Sequence, residues 1–502
     1  MQMNKQNTNS NIRQSVARNV SVMFGAQVVT WGSSFLLLYF LPRYLGPEDF
    51  GRLYLALSIK MILGLLIDFG GNYLIPKEVA RSESKGAQIL SSYIMLRIVL
   101  WILSVGLILL GSNLLGYSEH VHLLIMILII AKLWEGGTTA FSAYFQGIEE
   151  MKYPSMGTIV ERLFVAFAAV IALLLGADSI GVAIVITVGA LLNLIVIYWF
   201  SKRVVRVNFK FDPKMFSLLR SGMPFFLFSL FSVIYYRIDA VMLASLTTEE
   251  VTGWYGGAFR FFDIVMVLPL LYKTAIFPVF SKLWDNKQGI LENTVGQSIR
   301  LMIILGIPTA TVIYLFAEPI IHFFMGLDGY LPSVVVLQIF ALSIPIIFID
   351  IILGSALMGA ANRQRAWAVI GLLAIFVNIF ANYLLIPYTQ TLFANGGIGA
   401  AIATLITEIF VMSFAFYLLP NGYLQTFKSS YIVKPIFATI IMLIPILPLL
   451  LFTGVYWMIT LLLAGIFYIT ALLLLKTFNQ DEMKLIKSFI SSSRKKLTLY
   501  FS

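Results

Sequence analysis

Lys60, Arg97, Arg237 and Arg260 are the residues of this chain best placed for chemistry, because all four stand inside long apolar runs. The stretch 235–263, YYRIDAVMLASLTTEEVTGWYGGAFRFFD, holds two of them beside Asp239 and Asp263. A charge left in hydrocarbon costs roughly 2.5–3.5 kcal/mol on insertion scales. Each base therefore needs an acid, water or an anionic ligand. Arginine offers a planar fork of donors that matches phosphate or carboxylate, and lysine offers a point charge. Two chemistries are open: ion pairs that lock helices together, or a hydrated basic cavity that holds an anion.

Spacing sorts the charges. Acids at comparable depth are Asp68, Glu135, Glu161, Asp239, Asp263, Asp350 and Glu408. Lys132 and Glu135 are three residues apart and can pair on one helix face. Glu161 and Arg162 are adjacent, point different ways and must find partners on other helices. Lys273 lies near a span end and can snorkel, and Asp68 also lies toward an end. Asp263 follows Arg260 by three residues and can hold it, whereas Asp239 follows Arg237 by only two and cannot. Lys60 is six residues after Tyr54, and Arg260 five after Tyr255. Asp239, Asp350 and Glu408 are candidates for proton or sodium coupling, and no cofactor is expected. Tyr235, Tyr236, Trp254, Tyr255, Phe261 and Phe262 read as an interfacial aromatic belt, with stacking on sugars as the other reading.

The elements that must position these groups are membrane helices. Hydrophobic residues make up 59% of 502 positions and charged residues 12%, about half the charged share of a soluble protein. Runs of about 20 apolar residues fall near 19–41, 53–75, 90–111, 120–146, 154–176, 179–200, 222–246, 253–277, 297–317, 332–358, 367–387, 398–420, 434–453 and 455–475. That makes about fourteen spans, with the break at GADS the weakest, since one long bent helix would also fit. With the N-terminus inside, inward segments hold 26 Lys and Arg residues and outward loops hold only Arg43 and Arg52. The positive-inside rule then puts both termini in the cytoplasm. Net charge is +11, but the bases are scattered, so no nucleic-acid partner is expected. Cysteine is absent, which removes thiolate catalysis and thiolate metal sites, and the three histidines do not read as a metal set.

Two segments repeat. LGPEDFGRLY at 45–54 matches LTTEEVTGWY at 246–255, and SIGVAIVIT at 179–187 matches GIGAAIATL at 397–405. Six spans return the chain to its starting side, so the halves share one orientation about an axis along the membrane normal. The expected fold class is an all-α membrane protein: two six-helix lobes as parallel repeats around a central cavity, plus a C-terminal helix pair. Its parts are a disordered cytoplasmic tail at 1–18, an N-lobe at 19–201, a basic cytoplasmic linker at 202–221, a C-lobe at 222–420, a helix hairpin at 421–476 and a basic cytoplasmic tail at 477–502. The hairpin carries no charge from Pro435 to Leu475, which suits a lipid-facing position. The tail at 477–502 reads as an interfacial amphipathic helix or as a solvated basic segment.

The residues that carry a family resemblance are LPRYLGPEDFGRLYLA, IPKEVARSESKGAQ, YYRIDAVMLASL with GWYGGAFRFFD, IFPVFSKL, and NYLLIP…GGIGAAIATLITE. Over about 20–420 the chain resembles Wzx-type polysaccharide and O-antigen flippases. These form the polysaccharide transporter branch of the multidrug/oligosaccharidyl-lipid/polysaccharide (MOP) exporter superfamily. The resemblance implies a transporter, not an enzyme, in the bacterial cytoplasmic (inner) membrane. Its cargo would be an undecaprenyl diphosphate-type oligosaccharide, moved to the outer leaflet by alternating access for cell-surface polysaccharide synthesis. Implied partners are this lipid-linked oligosaccharide and membrane lipids, with a polysaccharide polymerase and a chain-length regulator as further candidates. Related lipid II flippases carry a base in the first span, where this chain has only Gln27 and Thr30. The substrate-binding bases expected are Lys60, Arg97, Arg237 and Arg260, supported by Asp239, Asp263, Asp350 and Glu408, with Lys132, Glu135 and Arg162 secondary. A multidrug-and-toxin-type cation-coupled exporter is the alternative. A membrane polymerase or ligase is disfavoured by the short outward loops, and direct drive by ATP by the lack of a GxxxxGK[ST] motif.

Overall fold

The structure is a computed structural model that describes residues 2–114, 116–207, 213–284, 288–326, 329–419, 423, 429–449 and 456–478. Among them there is no β-strand. Helix α1 runs Gln2–Asp68 and takes in the polar segment 2–18, a stretch whose composition predicts disorder. Then come α2 (Gly71–Arg81), α3 (Glu83–Leu114), α4 (Glu119–Gly147), α5 (Lys152–Leu174) and α6 (Ser179–Ser201). They are followed by α7 (Ser217–Leu246), α8 (Glu249–Val265), α9 (Val267–Trp284), α10 (Gln288–Leu315), α11 (Ala317–Met325) and α12 (Ser333–Asp350). A π-helical turn, Ile351–Leu357, leads into α13 (Met358–Ala360), α14 (Gln364–Phe393), α15 (Gly396–Tyr417), α16 (Ser429–Leu449) and α17 (Tyr456–Leu474).

Twelve helical stretches among the described residues are long and apolar enough to cross a membrane. The first covers Ser21–Arg81 and is interrupted at Gly46, whose φ of 70° only glycine adopts readily. A further apolar stretch, Ser430–Ile446, is shorter than the rest. A total of fourteen is reached only if Gly46 divides two spans and the shorter helix also crosses. At GADS the chain forms two helices, not one bent one. Gly176 is left-handed at φ 86°, and the Asp178 side chain caps α6 by accepting from the Gly181 N–H at 3.0 Å.

The chain divides into two compact units. The first comprises Met1–Arg260, Ile321–Val336 and Ala368–Ile406. Here α1 packs on α4, α5 and α7, and α6 packs on α4 and α5. One buried core gathers Tyr93, Phe141, Tyr144 and Phe145 around α2, α3 and α4. The second unit comprises Phe261–Ile320, Leu337–Trp367 and Thr407–Ser502. In it α16 and α17 pack together and α16 lies against α10, with Met442, Ile446, Ala464 and Leu472 in the shared core. The Tyr468 hydroxyl donates to the Ile304 carbonyl at 2.7 Å, fixing α17 to α10. Arg300 and Lys434 reach the carbonyls of Thr477 and Lys476 at 3.3 and 2.9 Å, bases at the negative end of α17. The outward faces of this pair remain apolar, with Phe437, Ile444 and Leu462 exposed. Its Thr453–Gly454 turn and most of the 477–502 tail lie outside the described residues.

Candidate functional site

In the first unit, α1 supplies most of the polar partners. Lys60 is paired with Glu135 of α4, and Lys132 reaches the other oxygen of that carboxylate at 3.2 Å. The i,i+3 pair expected from spacing is therefore present, but Lys60 shares it. Three charges sum to one positive charge on this patch. Gly64 makes room for Lys132: a β-carbon there would strike the lysine side chain.

Arg97 is 3% exposed and is enclosed by its own network. It pairs with Asp68 of α1 and donates to Asn72 Oδ1 at 3.1 Å, the Gly136 carbonyl at 2.6 Å and Thr139 Oγ1 at 3.1 Å. This set ties α1, α2, α3 and α4 together. Arg97 thus behaves as a clasp between helices. Asp68, set aside in the sequence as a group near a span end, is its counter-ion.

Arg237 and Arg260 are arranged differently. The Arg237 guanidinium lies over the Tyr54 and Phe259 rings, 5.9 and 5.4 Å from their centroids, and 3.4 Å from the Tyr54 hydroxyl. Arg260 lies over Phe50 at 5.0 Å. Phe50 and Tyr54 are one turn apart on α1 and almost fully buried. Both arginines are half-buried and rest on one aromatic ledge, with cation–π attraction of about 0.5–2 kcal/mol each. The matched tyrosines of the repeat, Tyr54 and Tyr255, come together with ring centroids 6.5 Å apart.

Asp239 is 3% exposed and turns away from Arg237, as the two-residue spacing requires. It accepts from the Tyr255 hydroxyl at 2.8 Å, Asn382 Nδ2 at 2.6 Å and Thr404 Oγ1 at 3.0 Å. Asn382 also donates to Asn378 Oδ1 at 3.0 Å. The cage joins α7, α8, α14 and α15, and none of these partners is charged. Its carboxylate, amide and hydroxyl oxygens are donors of the kind a hard cation takes.

The remaining sequence candidates are spread out. Glu161 accepts from Asn193 Nδ2 at 2.6 Å while the adjacent Arg162 is exposed. Asp263 stands one turn after Arg260 on α8. In the second unit, Asp350 closes α12 at the π-helical turn, and Glu408 is buried on α15. The belt reading fails for part of the aromatic set, because Tyr255, Phe261 and Phe262 are core residues, 1%, 8% and 2% exposed.

Sequence reasoning missed the seal at the Gly46 end of the first unit. Arg52 engages Glu48, Asp49 and Glu249, and the Ser118 hydroxyl donates to Glu249 at 2.6 Å. The backbones at Gly51 and Gly253 are so close that a β-carbon at either would strike the other segment. Arg43 donates to the carbonyls of His322 and Phe323 at 3.2 and 2.6 Å, ending α11. Trp254 donates to the Gly329 carbonyl at 2.6 Å. The repeat LGPEDFGRLY/LTTEEVTGWY was the available signal, since Glu48 and Glu249 occupy matching positions in it and both meet Arg52.

The fold is that of the MOP-superfamily transporters. It superposes on the lipid II flippase MurJ in an inward closed conformation with a TM-score of 0.72 and 17% identity, covering 91% of this chain and 98% of that one. It superposes on an inward-facing multidrug resistance MATE family transporter with a TM-score of 0.64 and 15% identity, over 80% and 96%. The chain itself belongs to the polysaccharide biosynthesis protein family, whose profile matches residues 16–284; a MatE profile matches 224–384. A putative O-antigen transporter of Shigella dysenteriae is 24% identical over 79% of this chain and 98% of its own length. A probable low-salt glycan biosynthesis flippase, Agl15, of Haloferax volcanii is 23% identical over 78% and 81%. The expected membership in the polysaccharide branch is thus met, and the chain is a multi-pass membrane protein.

Proposed function

We propose that this protein moves a lipid-linked oligosaccharide of the polyprenyl-diphosphate type from the cytoplasmic to the outer leaflet of the bacterial cytoplasmic membrane, for cell-surface polysaccharide synthesis. The observation that carries the reading is the pair Arg237 and Arg260 on the Phe50–Tyr54 ledge. A phosphorylated glycan cannot cross hydrocarbon unaided. Two guanidiniums steadied by rings give it donors matched to phosphate. Lys60 adds charge from the neighbouring turns of α1, while Arg97 supports the frame. The lobes 19–201 and 222–420 alternate access, with both termini cytoplasmic and the Gly46 end outward, in keeping with 26 inward bases against two outward ones. A polymerase and a chain-length regulator would receive the product. Deleting the gene should make the lipid-linked sugar accumulate on the cytoplasmic face, and Arg237→Ala or Arg260→Ala should reproduce this while the protein still inserts. Normal sidedness in the deletion strain sinks the function; normal export in both variants sinks the site.

The MatE match over 224–384 supports a second reading as a cation-coupled exporter of small organic cations. The Asp239 cage serves either reading as the point where a proton or sodium ion drives transport. Uptake of a labelled organic cation into vesicles holding the purified protein separates them: gradient-driven uptake favours the exporter, and its absence favours the flippase.

A further inference from the structure

Beside the charged patch, the first unit holds a cavity of about 280 Å³ that neither set of polar groups uses. Its wall is Ile59, Ile62 and Leu63 of α1, Ile108 of α3, Ile125 of α4 and Ile238 of α7. Tyr117 of the α3–α4 turn, Val241 and Gly111 also line it, and among the described residues no charged side chain does. Leu107, 46% exposed, stands at its rim. The volume is nearly twice the ~150 Å³ of an apolar cavity that stays dry and takes up benzene. That is room for about ten carbons, two isoprene units or a stretch of acyl chain. Water gains nothing there, because it finds too few polar partners. The helices that form it lie within the apolar, membrane-crossing stretches, so the abundant small apolar solute is hydrocarbon chain.

Position adds a second argument. Lys60 is three residues before Leu63 on α1, and Arg237 four before Val241 on α7. At those spacings each cation shares a helix face with a wall residue. An amphiphile with its chain in the cavity therefore has cations within a turn of its head.

We propose that this cavity is a hydrocarbon-chain site, taking an isoprenoid or fatty acyl chain of an anionic lipid. The isoprenoid case rests on the flippase reading; the affinity for hydrocarbon does not. It is a site apart from the α16–α17 pair, whose exposed apolar faces suit a lipid-facing position.

Gly111 makes the test clean. It lines the cavity, and a β-carbon there meets nothing within 4 Å. Gly111→Leu therefore adds bulk to open space without a backbone clash, and leucine is the better helix former. Purified full-length protein is photolabelled with a diazirine farnesyl diphosphate and, separately, with a diazirine acyl phospholipid, and the labelled peptides are mapped. Labelling of 59–63 or 107–125 is expected, reduced by about fivefold or more in Gly111→Leu. Ile108→Trp should act alike. Leu110→Trp, at a neighbouring site 68% exposed and outside the wall, should leave labelling unchanged. Loss of farnesyl labelling assigns the occupant as isoprenoid; loss of phospholipid labelling alone assigns it as acyl chain. No labelling by either probe, or labelling equal in Gly111→Leu and the native protein, overturns the proposal. These readings need no transport, so they stand or fall apart from the sidedness experiment.

Discussion

Arg97 and Arg237 are both arginines inside apolar helices, yet they should fail in opposite ways when removed. Arg97→Ala strands Asp68 and three further acceptors, and losing one partner of a buried ion pair costs about 3–5 kcal/mol. The expected result is a lower melting temperature and poor yield. Replacing both partners, Arg97→Met with Asp68→Leu, should recover most of that loss, because a matched apolar pair leaves no buried charge. If the double variant is no more stable than the single one, Arg97 is not acting as a clasp. Arg237→Ala should instead abolish transport while lowering the melting temperature less than Arg97→Ala does, since Arg237 is half-buried and Arg97 is 3% exposed. Arg237→Lys keeps the charge but not the planar stack, so it should retain only part of the transport rate. The sequence showed which residues carry charge and which neighbours could pair through a helix turn, as with Lys132 and Glu135. It could not show that Lys60 joins Glu135 across 75 positions, or that Asp239 meets Asn382 across 143. No periodicity links groups that only tertiary packing brings together.

At the scale of elements, LGPEDFG reads as a turn, but the chain stays helical on both sides of a single left-handed residue, Gly46. The segment that follows presses Gly51 against α8. A side chain at Gly51 strikes the Glu249 carbonyl, so Gly51→Val should part the two segments. The lack of cysteine gives a direct readout. Thr252 is fully buried, and a Thr252→Cys variant should react slowly with a membrane-impermeant maleimide added outside. Adding Gly51→Val should raise that rate by about tenfold, roughly 1.4 kcal/mol of opening. Arg52→Ala should act in the same direction, because it leaves Glu48, Asp49 and Glu249 as uncompensated like charges. An unchanged rate in both backgrounds would show that this contact does not close the end. The break between α5 and α6 was legible from Asp178 and Gly176. The π-helical turn at 351–357 was not, because IILGSAL carries no proline and a single glycine is tolerated inside a helix. Its one marker is Gly354, where a β-carbon would strike the Trp367 ring. Such turns often mark functional positions.

Taken as a whole, the proposed transport needs a driving force, an ion gradient or the membrane potential, and we propose the Asp239 cage as the site where an ion would act. It draws on two pairs of consecutive helices, α7–α8 and α14–α15, that are far apart in the chain, so an ion held there favours the arrangement in which the two pairs meet. An ion that binds only this arrangement stabilises it, by about 2.7 kcal/mol at a hundred times its dissociation constant. The native protein should therefore melt higher in sodium chloride than in choline chloride of equal strength if sodium is the ion. Asp239→Asn should melt alike in both, since it removes the one formal charge of the cage. The same variant should flip substrate at a rate indifferent to an imposed sodium or proton gradient, while Asp350→Asn, in the other unit, should leave the response to a gradient intact. If the native rate already ignores both gradients, the membrane potential remains as the driver, at about 2.3 kcal/mol per charge per 100 mV, and Asp239 is a packing residue. In that case its removal should cost stability through the lost hydrogen bonds from Tyr255, Asn382 and Thr404, and leave the voltage dependence of transport as it was.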